Sequence, residues 1–151
     1  MSEENVEIVR RFLEASERAV ASYWQDPRSV EKALEENSLA PEMVDALGFL
    51  HPDIVWNAGG FGSARGRHEL AAIWDDIFEV AQDYRISVRE LRESDGGLVF
   101  ASIDRTITAK GSGIQTTFPV FTVTRVSDGV ITEIDEYFDR HQALEAAGLK
   151  E

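Results

Sequence analysis

The stretch Leu98–Phe138 reads LVFASIDRTITAKGSGIQTTFPVFTVTRVSDGVITEIDEYF. It is three runs of β-branched and aromatic residues, cut by Gly111-Ser112-Gly113 and Asp128-Gly129. Such runs fit a pleated, half-buried surface, and turns this short join antiparallel neighbours. Just upstream, YRISVREL (Tyr84–Leu91) adds another strand, closed by Asp95-Gly96-Gly97. An antiparallel meander is predicted for the C-terminal half.

The N-terminal half has a different period. Val6, Val9, Phe12, Leu13, Ala19, Val20, Tyr23 and Trp24 recur at helical spacing, predicting an amphipathic helix over about residues 4–24. Asp26-Pro27 stops it and offers an N-cap and first-turn proline to a second helix carrying Val30, Ala33 and Leu34. A third short helix is predicted from near Pro41, then a strand at HPDIVWN (His51–Asn57). Leu70, Ile73, Trp74, Ile77, Phe78 and Ala81 return to helical period. Asp139 can cap a last helix that Gly148 ends. Helices, one strand, a helix, several strands and a helix predict an α+β fold, a curved antiparallel sheet with helices packed on one face. No repeat or linker divides the chain, so residues 1–151 are expected to form one domain.

The segment DIVWNAGGFGSARG (Asp53–Gly66) places a glycine-rich loop between a strand and a helix, an order found in phosphate sites. The surrounding pattern excludes a nucleotide. A dinucleotide fingerprint needs a parallel βαβ unit with an acidic residue on the next strand, and a P-loop needs a following Gly-Lys-Ser/Thr. The glycines are read instead as a tight backbone turn, leaving Trp56 and Asn57 at the lip of a pocket.

Composition narrows the partners. Of 151 residues 43% are hydrophobic, enough for a globular core. With 15 Lys and Arg against 28 Asp and Glu, the net charge is −13. That field repels phosphate backbones, so no nucleic acid is expected. No apolar run reaches the roughly 20 residues of a membrane span, and no membrane is expected. The start MSEENVEIVRR is acidic and amphipathic rather than a basic, apolar leader, and a cytoplasmic protein is expected. There is no cysteine, which removes thiol nucleophiles and disulfides. No GxSxG elbow occurs. The three histidines are scattered without ligand spacing, so neither a metal nor a cofactor is predicted.

Four segments in order, ENVEIVRRFLEA, FLHPDIVWN, ARGRHELAAIW and DGVITEIDEYFDRHQALEAAGL, resemble the SnoaL-like branch of the NTF2-like superfamily. The resemblance implies a conical sheet wrapped on a long N-terminal helix, an apolar cavity at the open end, and frequent dimers. Residues of about 25–45 are longer than the usual link after the first helix, and the extra helix is expected to reshape or lid the pocket. Members include polyketide cyclases, ketosteroid isomerases, limonene epoxide hydrolases and dehydratases, along with many non-catalytic binders, so fold does not fix activity. Ketosteroid isomerase chemistry does not carry over, because Asn57 and Phe12 stand where its carboxylate base and tyrosine would be. Limonene epoxide hydrolase chemistry carries over in part. Asn57 and Glu136 match in type, whereas Val55, Ile103 and Arg105 do not match the tyrosine, arginine and aspartate. The resemblance carries the cyclase aspartate onto Asp139, for which a helix-capping position is the easier explanation.

The residues themselves single out Glu136 and Arg105. In the last strand Val130, Ile134 and Phe138 share a face with Thr132 and Glu136. In the middle strand Val99, Ala101, Ile103, Ile107 and Ala109 share one with Arg105. Opposite charges on two apolar faces are expected to meet inside the cone, as a structural ion pair or as a functional group. Asn57 is a candidate to position a substrate, with a turn-forming role as the alternative. His141 is the histidine retained for proton transfer, although surface exposure on the last helix is the better explanation of it. Phe12, Trp56, Ile103, Trp74 and Phe138 are candidate walls for a small hydrophobic molecule. The expected function is cofactor-free acid–base catalysis, with ligand binding or dimerisation alone as the alternative. Leu98, Phe100, Ile131 and Tyr137 are expected on the outer sheet face, as a homodimer interface.

Overall fold

The computed structural model describes residues 2–151. The elements run α1 (Ser2–Gln25), α2 (Val30–Glu35), α3 (Pro41–Leu47), β1 (Leu50–Asn57), a single helical turn at Gly59–Phe61, β2 (Ser63–Arg65), α4 (Gly66–Val80), β3 (Ala81–Glu93), β4 (Leu98–Ala109), β5 (Gln115–Ser127), β6 (Val130–Tyr137) and α5 (Arg140–Ala147). The six strands form one sheet in the order β2-β1-β6-β5-β4-β3. The α+β fold expected from the sequence is present.

The meander β3–β6 is antiparallel throughout. Its tightest corner joins Ser127 to Val130 through Asp128 and Gly129, both left-handed with φ of 51° and 81°. Two such residues build the hairpin turn whose twist matches the flanking strands. One pairing departs from the expected antiparallel sheet: β1 lies parallel to β6. The chain reaches β6 only after β2, α4 and the three strands β3–β5, a connection long enough to permit a parallel neighbour.

Helix α1, 24 residues and about 36 Å long, crosses one face of the sheet. It buries Val9, Phe12, Ala15 and Val20 there. Helix α4 buries Leu70, Ala71, Ile73, Ile77 and Phe78 beside it. Helix α4 ends earlier than its periodicity predicts, since Ala81 opens β3. Helix α2 starts at Val30, later than Asp26-Pro27 suggests, because Ser29 caps it and Asp75 of α4 holds it. The Asp75 carboxylate accepts from Ser29 Oγ at 2.8 Å and from the Val30 and Glu31 amides at 2.6 and 3.1 Å. The extra segment is thereby tied down over α4.

Helix α5 does not join the other helices. It packs Ala143, Leu144 and Ala147 against Phe100, Phe121 and Val123 on the opposite sheet face. Asp139 caps it, accepting from the Gln142 amide at 3.0 Å, and Gly148 closes it at φ 75°. This placement corrects two expectations. Helices cover both faces, not one. Of the four residues expected on an outer patch, two are not on the surface, since Phe100 lies under α5 and Ile131 turns into the other core, both wholly buried, while Leu98 and Tyr137 stay partly exposed beside α5. A slip in the β5–β6 register between Arg125 and Val126 turns Ile131 inward and moves Val130 off the inner face. No helix of the described residues is long and apolar enough to cross a membrane.

Candidate functional site

Four strands each send one side chain to the same place under α1: Trp56 from β1, Tyr84 from β3, Arg105 from β4 and Glu136 from β6. Arg105 and Glu136 meet end-on, through both terminal nitrogens of the guanidinium. Arg105 Nη1 donates to Glu136 Oε1 at 3.2 Å and Nη2 to Oε2 at 3.1 Å. Their side chains are only 8% and 3% exposed. Trp56 Nε1 donates a third bond to Oε2, at 3.0 Å. The guanidinium carbon lies 5.6 Å from the centre of the Tyr84 ring, within cation–π range. A bidentate, charge-assisted pair with added donors is the form in which buried charges are tolerated.

The electrostatics follow from this packing. Burial pushes the Tyr84 phenol up to about 12, with Arg105 opposing the rise and Glu136 adding to it. Tyr84 is therefore a protonated donor at neutral pH. Burial works against the Arg105 charge, yet the facing Tyr84 and Glu136 oxygens outweigh it and raise its pKa. Arg105 Nε is buried and has no hydrogen-bond partner among the described residues. An ionised carboxylate offers about four acceptor positions, and three N–H groups occupy Glu136, which leaves one, on Oε1.

Cavities flank the pair. An inner one of about 50 Å³ is walled by Phe12, Ile103, Thr122, Thr124, Ile134 and the pair itself. A smaller one of about 20 Å³ lies toward Phe61, Ile73 and Ile77. An outer one of about 70 Å³ lies beneath α2 and α3. Trp56 and Trp74 line all three, so the indoles partition the space. A water needs roughly 10–15 Å³ by such a measure, so each space is no larger than a few waters.

The expected pairing of Arg105 with Glu136 is present, and Phe12, Trp56, Ile103 and Trp74 line the cavities. Three expectations are corrected. Asn57 turns to the other strand face, where its Nδ2 donates to Asp135 and its Oδ1 accepts from Ser63 Oγ at 2.8 Å. Its neighbour Trp56 takes the inward position. His141 lies on α5 with its side chain 82% exposed, 3.5 Å from Glu145, on the far face from the pair. Phe138 is 55% exposed and packs on Phe118 with ring centres 6.3 Å apart, outside the cavity walls. The glycine loop has a steric role here. A Cβ on Gly59, whose φ is +56°, would come within 3.0 Å of the Phe138 ring and 3.5 Å of Glu136 Oε1.

Two further side chains that the sequence does not single out line these cavities. Tyr84 alternates with Ile86 on the inner face of β3, a spacing that marks it. Arg67 reaches the outer cavity from the first turn of α4, with no sequence signal. Elsewhere His68 Nε2 sits 3.1 Å from Glu31 and 3.2 Å from Glu35, an exposed trio whose ligand atoms converge within 4.8 Å, as a metal ion would require.

A family model described as the SnoaL-like domain matches residues 28–134. Among solved structures, an NTF2-like protein of unknown function from Burkholderia pseudomallei is 22% identical, covering 97% of this chain and 98% of that one at a TM-score of 0.61. A LEH-like epoxide hydrolase of M. tuberculosis is 20% identical over 97% of this chain and 90% of its own, at 0.59. A putative SnoaL-like polyketide cyclase from a Jannaschia species is 18% identical over 100% and 96%, at 0.62. At these identities the likeness is one of fold. No curated protein matches the chain.

Proposed function

The chain belongs to the SnoaL-like domain family, and from that premise we propose that it binds a small, mainly apolar molecule in the cone and moves a proton on it without a cofactor. The observation that carries this reading is the buried Arg105–Glu136 pair at an apolar cavity wall, with one donor, Arg105 Nε, still unpartnered. A buried donor without an acceptor is costly until a ligand oxygen supplies one. Arg105 would hold a carbonyl, epoxide or phenol oxygen and stabilise negative charge developing on it. Glu136 Oε1, with its one open position, would accept the proton from carbon or from water and return it to the product. Tyr84 keeps the guanidinium in place. Cyclisation and epoxide opening, for which two of the structural neighbours are named, both suit such a site.

A second reading, binding without turnover, draws on a different observation. Three N–H donors already satisfy Glu136, so the pair is stable with nothing bound. One experiment addresses both. Hydrophobic ketones, lactones, phenols and epoxides are screened by thermal shift on wild type and Glu136→Gln, each against its own baseline, and hits are assayed for conversion. A ligand well above its Kd stabilises by a few kcal/mol. Hits weakened by the substitution support the site, and conversion lost with it supports catalysis. No hit on either protein overturns the reading.

A further inference from the structure

The outer cavity contains a charge that the proton-transfer reading does not use. Its walls are apolar side chains of α1, α2, α3, β1 and α4, with Ser16 and Arg67 as the polar exceptions. Arg67 is held in place by its Nη2, which donates to the main-chain carbonyls of Leu47 at 3.1 Å and Leu50 at 3.2 Å. These bonds fix the guanidinium at the end of α3. They do not neutralise it. None of the ion pairs among the described residues includes Arg67. Its Nε is buried with no partner. Arg105, buried in the inner site, is by contrast matched by Glu136, whereas the half-buried Arg67 has no carboxylate among the described residues.

A positive charge in an apolar cavity calls for an anion. The planar fork of a guanidinium suits a carboxylate in particular. The geometry points to a second binding site in the outer cavity for an apolar carboxylic acid, its carboxylate on Arg67 and its hydrocarbon body beneath α2 and α3. The tied-down extra segment builds this site, since Val30, Leu34, Met43 and Ala46 form its roof. Trp56 connects it to the inner pair. The same indole that walls the outer cavity donates from Nε1 to Glu136. An acid seated outside therefore presses on a donor of the inner carboxylate. This inference rests on the reading above only in taking the cavities as ligand space.

The test uses the full chain and four probes: octanoate, octanamide, octan-1-ol and cyclohexanone. Binding is followed by tryptophan fluorescence, since two of the three tryptophans line the cavity, and by calorimetry. Octanoate is expected to bind wild type at least ten-fold more tightly than octanamide. Arg67→Gln is expected to abolish that preference and leave octan-1-ol binding in place. Ala46→Phe, which fills the cavity and keeps the arginine, is expected to lose both octanoate and octan-1-ol. Should Arg67→Gln fail to fold, the octanoate–octanamide ratio on wild type and the Ala46→Phe result decide. Equal binding of acid and amide overturns the proposal, as does octanoate binding that survives Ala46→Phe. Cyclohexanone separates the two ideas: its binding without octanoate binding sinks the acid site alone, and failure of both sinks the cavity reading too.

Discussion

Replacing Glu136 by leucine strips a buried guanidinium of its only carboxylate. The pair is 8% and 3% exposed and makes two parallel hydrogen bonds, so Arg105 is left in a space that water hardly reaches. Breaking a buried pair from one side costs about 3–5 kcal/mol. For a domain of this size each kcal/mol moves Tm by roughly 2–4 °C, so Glu136→Leu is expected to melt about 10–15 °C below wild type. Arg105→Met removes the other partner and is expected to cost a similar amount. The double substitution behaves differently. It exchanges two charges for two apolar side chains of similar size, an exchange that is commonly neutral or stabilising. It also orphans Trp56 Nε1, whose lost bond to Glu136 costs about 1–3 kcal/mol. The double variant is thus expected within about 3 kcal/mol of wild type and above either single variant. The assay is urea denaturation of all four proteins, followed by tryptophan fluorescence. A coupling energy of about 3 kcal/mol or more is expected. Additivity to within about 0.5 kcal/mol would refute the claim that the two residues act as one unit.

Three further outcomes follow from neighbouring features. The Tyr84 phenol is raised from 10.0 to about 12 in the folded chain, so the native state holds its proton more tightly than the unfolded one. Its contribution is complete below pH of about 10 and is lost as pH climbs through about 12, roughly 3 kcal/mol in all. Absorbance titration should find one of the three tyrosines ionising last, and Tyr84→Phe should flatten the alkaline loss of stability; three tyrosines titrating together near 10 would contradict this. Gly59→Ala places a Cβ at φ +56° against the Phe138 ring, and a destabilisation of about 1–2 kcal/mol is expected by thermal melting, an unchanged Tm being the contrary result. Asp75→Ala removes the acceptor for Ser29, Val30 and Glu31, so a loss of about 1–2 kcal/mol is expected together with faster proteolysis between residues 26 and 40; equal protease resistance would show that something else holds the segment.

The sheet was legible because its signals are local. Gly111-Ser112-Gly113 and Asp128-Gly129 turn the chain, and the alternation of Ile103 with Arg105 on β4 put the charge on the inner face. Glu136 was found by the same alternation, although the register slip on β6 replaced Val130 with Ile131 in the core. Asn57 falls outside the site because the strand period, and not the family position, decides its face. Ile54 and Trp56, two residues apart, already marked the inward face, with Ile54 wholly buried. His141 sat near Glu136 along the chain, but Asp139 starts a helix that carries it to the opposite sheet face. Helix α5 hid the outer patch for a similar reason, since a short amphipathic stretch does not say which sheet face it will cover. Arg67 could not be read at all. An arginine in the first turn of a helix looks solvated, and its burial depends on α3 docking from about 20 residues away.

The central claim is that Arg105 presents its free Nε donor to a ligand oxygen inside the cone, beside the Glu136 carboxylate that Trp56 holds. The most direct measurement is a ¹H–¹⁵N correlation spectrum of the arginine Nε and tryptophan Nε1 groups, recorded while the strongest binder from the ketone, lactone, phenol and epoxide screen is titrated in. The account predicts a protected Arg105 Nε signal that moves downfield as its missing acceptor arrives, with a matching shift of the Trp56 indole. Saturable binding that leaves both signals in place would contradict it.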